Sequence, residues 1–226
     1  NDSIIDVSCS GDADGQIYLN VTGGTPFYSY NWLPSGTSNA NSATNLIAQT
    51  YNVTATDING CSESSTILVN EPTTLAASNL SFPSSCDLNN GGAFVIVSGG
   101  TPPYTYLWDD PNNTTNDTVS DLFARDPYYV TITDANGCVL THSVIVDNEP
   151  GAIIDSLDIT NITCYGDNDG SASVIYSGGT APLTFAWNDT LGQSTTTAVG
   201  LGPGAIGVII TDANGCQTSG YGVITE

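Results

Sequence analysis

The word TDANGC stands at residues 133–138 and again at 211–216, and TDINGC stands at 56–61, so the chain restates itself at intervals of 77 and 78 positions. A period of this length overrides what 226 residues would otherwise suggest, one large domain or two ordinary ones. Each unit of roughly 75 residues is small for a single core, in the range where a crosslink becomes useful. The units are expected at 1–72, 73–150 and 151–226.

Cysteine usage follows the same period. The first cysteines are Cys9, Cys86 and Cys164, the second are Cys61, Cys138 and Cys216, and 52 positions separate them in every unit. Two cysteines per unit at fixed places predict three internal disulfides, the alternative being three pairs of reduced core cysteines. Zinc is a poor fit, because there is neither CxxC nor a second histidine. Closing a loop of about 50 residues would stabilise each unit by about 4 kcal/mol in the chain-entropy model. Such bonds imply an oxidising compartment.

Within a unit the pattern is that of strands. Ile17, Leu19 and Val21 alternate, matched by Ala93, Val95 and Val97 and by Ala172, Val174 and Tyr176. A Gly-Gly pair closes each of these strands. The next strand alternates aromatics: Tyr28, Tyr30 and Trp32, then Tyr104, Tyr106 and Trp108, then Leu183, Phe185 and Trp187. Such a stripe could stack sugars, but its recurrence at one phase argues for core, with Trp32, Trp108 and Trp187 each filling the centre of a small sandwich.

A later strand, YNVTATD, YYVTITD or IGVIITD, ends in the tight turn. Asp57, Asn59 and Gly60, Asp134, Asn136 and Gly137, and Asp212, Asn214 and Gly215 are its structural residues. Asn-Gly tolerates positive φ and signals a hairpin, and the aspartate accepts hydrogen bonds from the turn that follows it. The repeated word is therefore a strand end, a hairpin and one half of a staple. No segment has a helical period, and the expected fold is all-β: three tandem Ig-like antiparallel β-sandwich domains, one intradomain disulfide each, in an elongated rod. Proline after Glu71 and Glu149 would stiffen the linkers.

Charge excludes several functions. Arg125 is the sole basic residue against 23 acidic ones, and the formal net charge is -22. Such a chain repels nucleic acid and anionic lipid. Without lysine it offers no Schiff base and no P-loop lysine. His142 is the sole histidine and no GxSxG elbow accompanies it, so the chain is expected not to be an enzyme. No stretch of eighteen apolar residues is present, and no membrane insertion of this segment is expected. A secretion signal and any anchor are expected outside this piece, which reads as an excerpt from a longer array.

These residues carry a resemblance. The pattern SC.G..DG, then SGGTPPYTY.W, then Y.VT.TDANGC, then EP, resembles the SprB repeat of Bacteroidetes surface proteins, with SGGTPPYTYLW at 98–108 and CYGDNDG at 164–170. TDANG alone is also similar to PKD-type and other Ig-like modules. The resemblance implies a segment of a large cell-surface adhesin exported by type IX secretion and, in some members, carried along the cell in gliding motility. Ile206, Gly207 and Ala181 depart from the family pattern, which weakens transfer of a binding role.

No cofactor is required by this reading, and calcium is the specific ligand candidate. Asp12 and Asp14 lie beside Gly15, and Asp167 and Asp169 beside Gly170, so alternate carboxylates on a glycine-containing loop offer oxygens to a hard cation. Unit two has the poorer set Asp87, Asn89 and Asn90. The bland alternative is a solvated Asx turn. A second candidate is interdomain calcium at Glu71, Asp147, Glu149, Asp155 and Asp158 around the linkers. The leading function is a structural spacer or stalk whose partners are neighbouring repeats of the chain. The alternative is that the variable loops 34–45 and 109–121 bind glycans or host and abiotic surfaces.

Overall fold

The computed structural model describes residues 2–226, and among them all regular secondary structure is β. The first copy contributes β1 (Ser3–Ile5), β2 (Gly15–Tyr18), β3 (Ser29–Leu33), β4 (Ser42–Leu46), β5 (Gln49–Thr56) and β6 (Ser62–Val69). The second contributes β7 (Ala76–Phe82), β8 (Ser84–Ser85), β9 (Gly91–Ser98), β10 (Thr105–Trp108), β11 (Thr118–Leu122), β12 (Arg125–Thr133), β13 (Val139–Val146) and β14 (Asn148–Glu149). The third contributes β15 (Ala152–Thr160), β16 (Gly170–Gly178), β17 (Thr184–Trp187), β18 (Thr197–Leu201), β19 (Gly204–Thr211) and β20 (Gln217–Ile224).

One sheet order recurs three times. Three-stranded sheets β1-β2-β4, β7-β9-β11 and β15-β16-β18 alternate with three-stranded sheets β3-β5-β6, β10-β12-β13 and β17-β19-β20. A short parallel pair, β8 with β14, adds to the middle copy. The register also recurs, with Trp32 opposite Val53, Trp108 opposite Val130 and Trp187 opposite Val208. Before Leu46 and Leu122 the residues Asn45 and Asp121 take positive φ, next to register shifts in which each leucine is turned back toward the interior.

The chain forms two compact units, one of residues 1–79, 95–117 and 129–143, the other of residues 80–94, 118–128 and 144–226. The first has a core of Val7, Ile17, Trp32, Tyr51, Val53 and Val69 with their neighbours. The second has a core that includes Ile162, Val174, Trp187, Ile206, Val208 and Ile224. Period-two patterning accounts for both, since burial alternates along β2 and β16 and through the Tyr51–Val53 stretch of β5 as the side chains do. Trp32 and Trp108 are 1% exposed and Trp187 6%, and each indole N–H reaches a backbone carbonyl, of Ala40, Asn116 and Thr195 at 2.8, 2.9 and 2.8 Å. A buried tryptophan with its one donor satisfied contributes its full apolar surface without a polar penalty.

The cysteines correct the expectation of one cystine inside each copy. Cys9 does not pair with Cys61, nor Cys86 with Cys138, nor Cys164 with Cys216. Cys9 is bonded to Cys138 and Cys86 to Cys216, with Cα–Cα distances of 5.7 and 5.2 Å. The first cysteine of one copy is thus joined to the second cysteine of the next. Cys61 and Cys164 are free and exposed. The first cystine lies within the first compact unit and the second within the second.

Strand length is the physical reason. The Val7 N–H donates to Asn70 O at 2.9 Å, which sets the Cys9 loop beside the end of β6, whereas Cys61 sits before the start of β6. Eight extended residues lie between, or about 27 Å at the usual strand rise. A cystine needs its Cα atoms within about 7 Å. In the third copy the Ile162 N–H donates to Thr225 O beyond β20, while Cys216 precedes that strand. The two cysteines of one copy therefore occupy opposite ends of an eight-residue strand.

Candidate functional site

The places where the structure concentrates chemistry are the joints that the two cystines close. Each is built from a first-cysteine loop and a second-cysteine hairpin. The hairpin is held by its aspartate. Asp57 accepts the Thr25, Asn59 and Cys61 backbone N–H groups, all at 2.9 Å. Asp134 accepts those of Thr101, Asn136 and Cys138 at 2.8, 2.9 and 2.9 Å, and Asp212 those of Thr180, Asn214 and Cys216 at 3.0, 3.0 and 2.8 Å. One carboxylate thereby ties the Gly-Gly segment to the turn and presents the cysteine at its end.

All three carboxyls are acidified. Donation from Thr25 and then Cys61 lowers Asp57, and donation from Thr180, working against burial, lowers Asp212. At Asp134 burial is the largest influence and pushes upward, but four backbone donors led by Thr101 together outweigh it. The Gly-Gly pair is needed for this approach. Gly100 has φ +63°, and a Cβ there would lie 2.7 Å from Asp134 Oδ2 and 3.0 Å from Leu75 Cδ1.

The loops of the first cysteines carry the aspartates considered for calcium. Asp14 accepts both the backbone N–H and the hydroxyl of Ser8, and Asp169 accepts those of Thr163 at 3.0 and 2.5 Å. Hydroxyl donation is the main cause that lowers both carboxyls. Asp12 and Asp167 use their backbone N–H groups to close a turn on Cys9 O and Cys164 O, each at 3.0 Å. Asp87 Oδ1 accepts Asn148 Nδ2 at 2.6 Å, and Asn90 is hydrogen-bonded to Ser85. The partners Ser8 and Thr163 escaped sequence reasoning, although a hydroxyl residue directly before the first cysteine was a readable signal.

The linker acids are not gathered into one place. Glu71 Oε2 accepts the Gly11 N–H at 2.6 Å, and Glu149 Oε2 accepts Asn214 Nδ2 at 2.8 Å. Asp147 gives its carbonyl to Ser84 N–H, Asp155 takes the Ser177 hydroxyl at 3.2 Å, and Asp158 lies opposite Ser173 in the β15–β16 ladder. Among the described residues no group of three or more His, Cys, Asp and Glu side chains is placed to hold a metal ion. His142 Nε2 is 3.0 Å from Asn79 Oδ1.

Across each joint the hairpin asparagine adds a second tie. Asn136 Nδ2 donates to Thr101 Oγ1 at 3.1 Å and to Ser8 O at 2.9 Å. Asn214 Nδ2 donates to Thr180 Oγ1 at 3.0 Å and to Glu149 Oε2 at 2.8 Å. One bond of each pair stays within the copy, and the other reaches the preceding copy. At the second joint a Cβ on Gly151 would lie 2.6 Å from Cys216 Cβ, so the linker backbone runs directly against the cystine.

The variable loops show a different device. Asp110, buried, accepts the Thr114 N–H at 2.7 Å and the Asn112 N–H at 3.0 Å, and Asp189 accepts the Gln193 and Leu191 N–H groups. Gln193 Nε2, donating to Asp189 at 2.8 Å, is the main cause that lowers this carboxyl. An open depression of about 400 Å³ lies beside it, lined by Asn188, Leu191, Pro203 and Ile206. No helix among the described residues is long and apolar enough to cross a membrane.

Comparisons with known proteins return remote structural likenesses and one repeat family. The chain is 14% identical to a bacterial ice-binding adhesin structure of 1.5 MDa origin, with a TM-score of 0.45 over 96% of this chain and 90% of that one. It is 16% identical to a Ca2+-stabilized ice-binding adhesin of an Antarctic bacterium, with a TM-score of 0.45 over 97% and 69%. Against the N-terminal eight Ig domains of Down Syndrome Cell Adhesion Molecule, identity is 13% and the TM-score 0.39, over 87% of this chain and 32% of that chain, so it spans about a third of that structure. At these scores the likenesses carry no functional weight. The search of curated proteins returns no match. The SprB repeat profile matches residues 1–37, 82–113 and 156–192, once in each copy, so the chain is similar to the SprB repeat at three places.

Proposed function

We propose that the chain is a non-catalytic structural spacer of a bacterial cell-surface adhesin, lying outside the cell, in which each copy is one Ig-like sandwich with limits near 1–72, 73–150 and 151–226. The single observation that carries the reading is the placement of the cystines. A bond from each copy to the next serves to hold successive modules together, whereas a binding or catalytic module has no need of its neighbour's cysteine. The family match and the Asp-clamped hairpins support the same view. The partners are then the neighbouring repeats themselves.

A glycan and surface-adhesion screen of the 226-residue chain tests it: a blank screen is expected, and saturable binding that maps to loops 34–45 or 109–121 would overturn it. The spacer needs no cofactor. Calcium at Asp12 and Asp14, at Asp167 and Asp169, or at the linker acids is the one ion the sequence offers. Thermal melting with calcium and with chelator tests it, since an ion held only by the folded state raises the midpoint.

A further inference from the structure

The two free cysteines are the unmatched halves of the joint that the chain makes twice. Cys164 occupies the position of Cys9 and Cys86, and Cys61 that of Cys138 and Cys216. Both already stand in the bonded arrangement. The Cys164 loop repeats the internal turn of the Cys9 loop, with Asp169 on Thr163 as Asp14 is on Ser8, and with Asp167 N–H on Cys164 O as Asp12 N–H is on Cys9 O. The Cys61 hairpin carries the same aspartate clamp as the two bonded hairpins.

Further observations point outward from these halves. Asn136 and Asn214 each donate once within their copy and once across the joint, whereas Asn59 Nδ2 makes, among the described residues, only the first of these bonds, to Thr25 Oγ1 at 2.8 Å. Exposed apolar side chains stand on the segments that carry each thiol. Phe27 (85% exposed) and Ile58 lie on the segments that Asp57 ties to Cys61, and Tyr165 (89% exposed) follows Cys164 directly. Exposed aromatic surface next to an unused covalent half-site is what an interface leaves bare.

We propose that the Cys164 loop receives a hairpin of the Cys61 kind from a further repeat, a part that a second copy of the chain can play, forming a third joint of the same kind and closing it with a Cys164–Cys61 disulfide. The occupant follows from continuity with the two internal joints, which set the geometry, the cross-joint asparagine and the cysteine order. Bond formation requires an oxidant, here a low-molecular-weight disulfide such as oxidised glutathione. The Cys164 thiolate attacks one glutathione sulfur and releases one glutathione thiol. The Cys61 thiolate then attacks the Cys164 sulfur of the mixed disulfide and releases the second. Two electrons and two protons pass from the cysteine pair to the two glutathione molecules.

The test is oxidation of the purified 226-residue chain with oxidised glutathione, followed by non-reducing electrophoresis and mass mapping of the new crosslinks. The expected result is a ladder of multimers in which Cys61–Cys164 links outnumber the Cys61–Cys61 and Cys164–Cys164 links together. A mixture of the Cys61→Ser and Cys164→Ser variants should stop at a dimer, and Asn59→Ala should lower the share of the mixed link. Random pairing makes homotypic links as frequent as mixed ones, and that result, or monomers that only take up glutathione on both thiols, would overturn the proposal. Its failure would leave the spacer reading standing, because that reading rests on the two internal cystines.

Discussion

Asp134 Oδ2 accepts the Thr101 backbone N–H at 2.8 Å, and this contact ties the Gly-Gly segment to the hairpin that presents Cys138. The other oxygen of the same carboxylate holds the Cys138 N–H itself. Replacing Asp134 with alanine is expected to destabilise the chain at neutral pH and to speed reduction of the Cys9–Cys138 bond. Denaturant titration and timed thiol trapping would check both.

The same clamps set the response to acid. Asp57, Asp134 and Asp212 all have folded-state pKa values below the ordinary one. A depressed carboxyl contributes stability that is fully present above the unfolded value of about 3.9 and is lost as pH falls through the folded value. Stability from this source should therefore hold from neutrality down to the ordinary carboxylate range and decline only below it. Urea midpoints measured from pH 7 to pH 2 would test the sign, and Asp134→Asn should flatten the acid limb.

Trp108 is the largest side chain buried in the middle copy, and its indole N–H is satisfied by Asn116 O. Trp108→Ala removes both and should cost about 3–5 kcal/mol. Denaturant unfolding monitored by circular dichroism would measure it.

Gly100 has a left-handed backbone and no room for a methyl group beside Asp134. Gly100→Ala should destabilise by more than about 1 kcal/mol, because the strain and the displaced carboxylate act together. The surface glycine Gly36, also left-handed but with open space around it, provides the control that isolates backbone strain alone.

Removing the second joint with Cys86→Ser and Cys216→Ser frees a loop of 130 residues. The chain-entropy model sets the loss at about 5 kcal/mol. Differential scanning calorimetry should show the midpoint fall and the transition broaden, as the copies on either side of the bond cease to unfold together.

Much of this architecture was legible in the sequence. Alternation of Ile17 with Leu19 and of Val208 with Ile210, the Gly-Gly pairs and the Asn-Gly turns follow from local periods, and local periods survive in a single chain. The cystine partners did not follow. A pairing within a copy spans 52 positions and a pairing to the next copy spans 129 or 130, and both repeat with the same period. What separates them is the pairing of Val7 with Asn70, a contact across the whole copy that no spacing of cysteines encodes. The calcium reading rested on alternating carboxylates, whose hydrogen-bond partners Ser8 and Thr163 lie six residues upstream.

The overlap of the two cystine spans, Cys9 to Cys138 and Cys86 to Cys216, has a consequence for damage tolerance. A single peptide-bond cleavage anywhere between Cys9 and Cys216 leaves the two fragments covalently tethered, and from Cys86 to Cys138 they are tethered twice. Both linkers lie inside this protected interval. A protease that nicks the chain once within this interval cannot shed what lies beyond the nick.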